Sequence, residues 1–295
     1  MLRKPKISVI IPTHNAAAFI EDCLASIFTQ TFPPFEVIVV DNASIDETPT
    51  LIAQKFPKAK VIRLKKNTGV TGGRNTGIKK TRGEFLFFFD HDMVAEPDMI
   101  SELVKVAKSN PKIGIVTPKI YYWEDKKRIW AAGTGINLWT GQIVFRGGKD
   151  AGQYDKIEEV QVAPAAIFVK RKILDKIGGF DDVYFATYED TDFCFRAKEA
   201  GFKIVYAPKA VAYHKIPGDY KSSMERLLSR AYFIGRNRII FMKRYGKNFL
   251  VFLLFLPVFA VYYAFLALRF QKLGDFLDFC RGTTEGLILV VRRKV

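Results

Sequence analysis

The chain has 295 residues, 49% of them apolar, and its 46 lysines and arginines outnumber its 30 acidic residues to give a net charge of +16. That apolar content is ample for a core and excludes a disordered chain, and the length suits one large domain or one domain with an appendage. The positive excess calls for a polyanionic partner, and nucleic acid is set aside because there is neither a Cys/His finger nor an RNP-type aromatic signature, which leaves a phospholipid surface or phosphorylated substrates. Over the first ~120 residues short apolar runs alternate with amphipathic stretches. Strands are predicted at 7–11, 35–40, 61–64, 85–89 and 113–117, with helices at 19–28 and 99–107 between them. Such alternation means βαβ units and a mostly parallel sheet. Residues 121–170 hold Trp123, Trp130 and Trp139 among many glycines and read as loops and hairpins over the sheet, with a strand at 162–169. Helix, loop, helix and strand follow over 171–206, and from 222 onward the chain is helical, first basic and then strongly apolar.

The most informative segment is Glu84-Phe-Leu-Phe-Phe-Phe-Asp-His-Asp92. One apolar side chain after another leaves no face for water, so this is a buried central strand. It ends in Asp90 and Asp92, which an extended backbone points the same way. Two carboxylates held together repel unless a cation or a shared proton relieves them. An oxygen donor set at a strand end suits Mg²⁺ or Mn²⁺ carrying a diphosphate. Four further segments accompany it. In Ser8-Val-Ile-Ile-Pro-Thr-His-Asn15 a strand runs into a polar loop, and ligands of open α/β sheets bind at such carboxyl ends, which places Thr13 and Asn15 well. Asp41 ends the second strand, where it can accept hydrogen bonds from a base or ribose. In Asn67-Thr-Gly-Val-Thr-Gly-Gly-Arg-Asn-Thr-Gly77 the glycines allow close backbone approach, and Arg74 near a helix start suits phosphate. Glu189, Asp190 and Asp192 crowd a helix N-terminus, where acids often serve only as caps.

Together these motifs, in this order and at this spacing, resemble family 2 of the inverting, nucleotide-sugar-dependent glycosyltransferases over roughly residues 6–215. The resemblance implies a GT-A fold, a Rossmann-like mixed sheet flanked by helices. It implies that Thr13 and Asp41 hold the nucleoside and Arg74 the diphosphate, with Asn15, Asn67 and Glu189 in the same donor-binding set. Asp90 would lie near the ribose, Asp92 would ligate the metal with Asp90 beside it, and Asp190 would be the general base. His214 matches a histidine often found after the last strand of such enzymes, as a further metal ligand or as part of the cleft wall. His91 fills the middle of the Asp-x-Asp, where small or acidic residues are frequent, and is expected to point away from the metal. The chemistry agrees with the residues: a departing diphosphate needs positive charge, an attacking hydroxyl needs a base, and Glu189 is placed to raise the pKa of that base. No Gly-x-Gly-x-x-Gly follows the first strand and no Gly-Lys-Ser/Thr occurs, which counts against nicotinamide-dependent oxidoreductases and P-loop NTPases.

Residues 1–220 are thus expected to be the catalytic domain and 221–295 a membrane-associating appendage of helices. Arg226, Arg230, Arg236, Arg238, Lys243, Arg244 and Lys247 are assigned to one basic helix, and residues 249–268 carry no charge, long enough to span ~30 Å of hydrocarbon. Pro257 in that run, and basic residues on both flanks including Arg269, Lys272, Arg281, Arg292, Arg293 and Lys294, favour helices lying in the interface over a single span. Three scattered cysteines, Cys23, Cys194 and Cys280, fit no disulfide framework, and no signal-peptide h-region precedes the first strand. The expected location is therefore the cytoplasmic face of a membrane, peripheral or single-span. The expected partners are a nucleotide-diphosphate sugar, a glycan or lipid-linked acceptor and an anionic membrane surface. A polyprenyl-phosphate sugar synthase, or a non-catalytic nucleotide-binding scaffold, are the alternatives.

Overall fold

A computed structural model describes residues 5–292, so Arg293 and Lys294 lie outside the described residues. In chain order the elements are β1 (Ile7–Thr13), α1 (Ile20–Phe28), β2 (Glu36–Asp41), α2 (Thr48–Lys55), β3 (Lys60–Arg63), α3 (Gly69–Ile78), β4 (Phe85–Phe89), β5 (Met93–Ala95), α4 (Met99–Ser109), β6 (Ile113–Tyr122) and β7 (Arg128–Ala131). They continue as β8 (Thr134–Ile136), β9 (Ile143–Phe145), β10 (Gly148–Lys149), β11 (Glu158–Glu159), β12 (Ala166–Lys170), α5 (Arg171–Ile177), α6 (Glu189–Glu199), β13 (Lys203–His214), α7 (Tyr220–Leu228), α8 (Ala231–Tyr245), α9 (Phe249–Leu253), α10 (Leu256–Arg269) and α11 (Leu273–Val291). The main sheet has the order β10-β7-β6-β12-β4-β1-β2-β3, with β13 pairing β6, β5 and β11. Strands β3, β2, β1 and β4 run parallel, whereas β12 inserts antiparallel between β4 and β6, so the sheet is mixed rather than mostly parallel.

The unbroken apolar run of β4 has a direct structural cause. Alternate side chains enter different cores: Phe85, Phe87 and Phe89 join Ile20, Leu24, Met99 and Leu103 on one face. Leu86 and Phe88 join Ile173, Phe180, Phe193 and Ala197 on the other. A strand covered on both faces cannot show alternating polarity. The strand predicted over 162–169 starts later, at Ala166, because Pro164 and a left-handed Ala165 (φ 58°) break it. Val162 makes an isolated bridge to Thr134 instead.

The chain divides into two compact units. One comprises the residues up to Gly135 with Phe145–Asp182 and Asp190–Ile216, and holds the main sheet. The other comprises Ile136–Val144, Val183–Glu189 and the chain from Pro217, and is chiefly α7 to α11 around Leu228, Ala231, Ile234, Tyr263, Leu266 and Phe279. The basic helix expected over 226–247 is two helices. Asp219 caps α7, accepting from Ser222 N, and α7 ends where the Ser229 hydroxyl donates to Arg226 O, a local bond that competes with continuing helix. Phe249–Arg269 is long and apolar enough to cross a bilayer, with mean hydropathy 2.5. It is interrupted at Leu254 and Phe255 between α9 and α10, and Pro257 opens α10 in the first turn, where its missing N–H costs nothing.

Candidate active site

Strands β1, β2 and β4 are parallel neighbours, so the loops after Thr13, Asp41 and Phe89 leave the same edge of the sheet. The first two loops are stitched together. Asn15, itself left-handed (φ 49°), donates its N–H to Ser44 Oγ at 2.9 Å and accepts from Ile45 N at 2.9 Å. Asp41 is fully buried; its Oδ1 accepts from Ser44 N at 3.1 Å and its Oδ2 faces Arg63 Nε at 3.4 Å. Thr13 is buried as well, and its hydroxyl has no hydrogen-bond partner among the described residues. Asn67 uses its side-chain oxygen to accept from Gly69 N, turning the chain into α3. Two of the α3 glycines, Gly73 and Gly77, lie against β1. A Cβ at Gly77 would overlap Cγ2 of Ile10 on β1, and one at Gly73 would stand 2.9 Å from Pro12 Cβ.

That close packing seats Arg74, 1% exposed, against the end of β4. Its Nη2 donates to Asp90 Oδ1 at 2.9 Å, and its guanidinium lies 5.0 Å from the centre of the Phe180 ring. Asn75 fixes that ring: its Nδ2 donates to Phe180 O and Asp182 Oδ1, and its Oδ1 accepts from Phe180 N. Asn75 and Phe180 were not singled out from the sequence; the Arg-Asn pair within the glycine-rich segment was the available signal.

Asp92 and His214 meet because β5 and β13 are antiparallel partners, with His214 opposite Met93. Lys215 N donates to Asp92 O at 2.8 Å, and His214 Nε2 lies 3.2 Å from Asp92 Oδ1. The imidazole is edge-on to Trp130, ring centres 4.5 Å apart. His91, between the two aspartates, turns its Nδ1 toward Pro12 O at 3.3 Å. Among the described residues no group of three or more His, Cys, Asp or Glu side chains is disposed to hold a metal ion.

Asp190 stands in the first turn of α6, where Thr191 N and Oγ1 both donate to its Oδ1, at 2.7 and 3.2 Å. Burial pushes its carboxyl above the ordinary aspartate value; the Arg74 charge opposes this and the Asp90 charge adds to it. Burial is thus the leading cause of the rise that the sequence reading gave to Glu189. Asp192 is fully buried and accepts from Arg196 Nε at 2.7 Å, one helical turn on, so its carboxylate is committed to the helix.

The family model for glycosyl transferase family 2 matches residues 8–178, more than half of the chain and the whole of this sheet edge up to α5. The chain belongs to glycosyl transferase family 2. Among curated relatives it is 26% identical over 254 residues to the glycosyltransferase AglE of Haloferax volcanii, covering 80% of this chain and 73% of AglE. It is 31% identical over 227 residues to the uncharacterized protein y4gI of Sinorhizobium fredii, covering 71% of this chain but only 24% of that protein. The mannosyltransferase PcManGT of Pyrobaculum calidifontis, solved with GDP-Man and Mn²⁺, superposes with a TM-score of 0.59 at 20% identity, over 98% of this chain and 76% of PcManGT. TarS 1–349 of S. aureus with UDP-GlcNAc gives 0.55 at 23% identity, over 80% of this chain and 66% of that one. These likenesses establish the GT-A fold, a mixed α/β sheet with flanking helices.

Proposed function

We propose that the chain is an inverting glycosyltransferase that moves a sugar from a nucleotide-diphosphate donor to a hydroxyl of a glycan or lipid-linked acceptor. One observation carries the reading: Arg74, Asp90, Asp92, His214 and Asp190 are delivered by four separate segments to one unit, the first three at or facing the carboxyl end of β4. Thr13, with its unpartnered buried hydroxyl, and the stitched loops carrying Asn15 and Asp41 wall the nucleoside side. Arg74 is the cation for the diphosphate, and a guanidinium already held by Asp90 and Phe180 needs little reorganisation when charge develops on the leaving group. Asp190 takes the proton of the attacking hydroxyl as the new glycosidic bond forms and the bond to the diphosphate breaks. A single displacement of this kind inverts the anomeric centre and uses no covalent nucleophile.

The residues present fit Mg²⁺ or Mn²⁺. These ions complete their shells with phosphate oxygens and water rather than with an all-protein cage, so Asp92, with His214 Nε2 3.2 Å from its Oδ1, would be enough to hold one. When bound, the ion supplies charge stabilisation to the departing diphosphate. The solved neighbours bound to GDP-Man with Mn²⁺ and to UDP-GlcNAc support a nucleotide sugar as donor.

A lipid-linked acceptor, or a polyprenyl phosphate itself, is favoured by the second unit. Leu250, Leu254, Val258, Val261, Phe265 and Leu268 are exposed at spacings of four, four, three, four and three, a single stripe along α9 and α10. The opposite side, Phe252, Tyr263, Leu266 and Ala267, is buried. Exposed Lys243, Lys247, Arg269 and Lys272 flank the stripe. An apolar stripe between basic ends suits an anionic phospholipid surface, and a helix with one side buried in the protein favours lying in the interface over spanning it. The expected seat is the cytoplasmic face. Calorimetric titration of uridine, guanosine and thymidine diphosphates, with and without Mn²⁺, tests the donor site. Metal-dependent binding of one base is expected; no binding under any condition, vesicles included, would sink the reading.

A further inference from the structure

Residues 178–182 follow α5 and lie, like α3 and like α6 from Asp190 on, in the unit that holds the main sheet. Gly178, left-handed at φ 76°, closes α5 by donating its N–H to Leu174 O. Two helices then grip the stretch. From α3, Asn75 donates to Phe180 O at 2.8 Å, accepts from Phe180 N at 2.9 Å and donates to Asp182 Oδ1 at 2.8 Å. Gly179 leaves room for that approach, since a Cβ there would overlap Asn75 Oδ1. From α6, Arg196 donates from Nη1 to Ile177 O and from Nη2 to Gly179 O, both at 2.9 Å. Its Nε donates to the buried carboxylate of Asp192 at 2.7 Å, which holds the guanidinium in place.

The side chain carried by this gripped backbone is the Phe180 ring, 3% exposed. It meets Phe88 edge-on with ring centres 5.0 Å apart, stacks on Phe193 at 4.5 Å and 23°, and lies 5.0 Å from the Arg74 guanidinium. Phe193 stands three residues after Asp190, so the two are neighbours on one side of α6. The Arg74 charge bears on the Asp190 carboxyl, so cation and carboxylate are within electrostatic reach. An aromatic ring that only fills a core needs burial. It does not need its own N–H and carbonyl fixed from one helix and the preceding carbonyl from another.

We propose that Phe180, gripped by Asn75 and Arg196, is a positioning residue that fixes Arg74 and Asp190 relative to each other. The proposal rests on the reading of Arg74 as the cation for the diphosphate and of Asp190 as the base. The ring limits where the guanidinium can stand, because a cation is attracted to the face of a desolvated ring. Through Phe193 it limits where α6 begins. A misplacement of the order of 1 Å is worth roughly 10²-fold in rate.

The test uses the full chain with Mn²⁺. UDP, GDP, UMP and GMP are titrated by calorimetry into the unaltered protein, Phe180→Leu, Arg74→Gln and the double variant. Phe180→Leu should weaken the diphosphate that binds by about 10-fold, within the usual range of coupling between contacting residues. Its monophosphate should bind unchanged, and the substitution should have no further effect in the Arg74→Gln background. Amide exchange should speed at 190–196 and not in β1, a reading that needs no turnover. Release of the diphosphate from UDP-GlcNAc or GDP-mannose into water should lose roughly 10²-fold in kcat, more than the affinity loses, because the base is displaced as well. Unchanged diphosphate affinity in Phe180→Leu, where Arg74→Gln weakens it, would overturn the proposal and leave the donor reading standing. Unchanged exchange at 190–196, or equal weakening of mono- and diphosphate, would overturn it too. If Phe180→Leu does not fold, Asn75→Ala takes its place with the same readouts. Unchanged diphosphate affinity in Arg74→Gln would instead remove the reading on which the proposal rests.

Discussion

Replacing Asp190 by Asn is expected to abolish turnover and to stabilise the protein. Asn is isosteric, and its carbonyl can still accept from Thr191 N and Oγ1, which bond Oδ1 at 2.7 and 3.2 Å. What is lost is the base. General-base catalysis contributes about 10²–10⁴-fold, or roughly 2.7–5.4 kcal/mol of barrier at 1.36 kcal/mol per decade. Donor affinity should not move, because Asp190 is assigned to the acceptor hydroxyl. The stability effect follows from its raised pKa. Between the ordinary value of 3.8 and the raised one the folded state binds more protons than the unfolded state, so stability falls as pH rises through that window. Above it the charged carboxylate is a standing cost, and a neutral amide removes it. The expected sign is a rise in Tm, and at this size each 1 kcal/mol gained moves Tm by roughly 2–4 °C. The assay pairs single-turnover transfer with thermal unfolding at neutral pH and at pH 3.5. Near-normal turnover would refute the base assignment. A lower Tm at neutral pH would show that the charge holds the start of α6, as an acid in a first turn can, and would refute the reasoning about burial.

The remaining expectations probe the other parts of the site and the apolar unit. Activity should rise with pH along an acid limb above 3.8, where Asp190 loses its proton, and Arg74→Gln should move that limb to higher pH because the guanidinium opposes the rise; a limb that stays in place would separate Arg74 from the base. Asp92→Asn should abolish the dependence of nucleotide binding on Mn²⁺ in calorimetry, and an unchanged dependence would move the ion elsewhere. Gly77→Ala should cost about 1–3 kcal/mol in denaturant unfolding, the usual range for overpacking, since its Cβ would overlap Ile10. Val261→Asp with Phe265→Asp, both on the exposed stripe, should release the protein from vesicles containing anionic phospholipid in flotation; continued flotation would place docking on another surface.

The strands of the first half were legible because their burial is extreme. Phe85–Phe89 is found at the predicted limits, and β1 begins at the predicted Ile7. The mixed character of the sheet followed from the family resemblance and not from the apolar pattern, because β12 reads as apolar whichever way it runs. Its direction is fixed by where the chain arrives after the excursion of residues 121–165. The glycines of 69–77 carried the inference of close backbone approach, and at Gly73 and Gly77 what approaches is β1. A sequence cannot distinguish a glycine that clears space for phosphate from one that clears space for Ile10.

The motifs at the ends of strands were easier to read than the residues that support them, and the reason is physical. A carboxylate after an apolar strand announces itself by contrast. Asn237 and Arg238 sit in a helix rich in Arg and Lys, where they look like two more solvated side chains, yet both are buried. Arg236 and Arg238 are spent on Glu285 and on Tyr188, so they cannot be counted toward a lipid surface as the net charge of the chain suggests. The basic residues left for that role are those beside the exposed stripe. Charge in this chain therefore has two uses that composition alone merges: attraction to phosphate at the surface, and the holding of strained backbone inside. Only contacts separate them. The strained pair Thr187–Tyr188 is where the second use matters most, because two non-glycine residues in left-handed geometry would relax if the buried donors of α8 were removed.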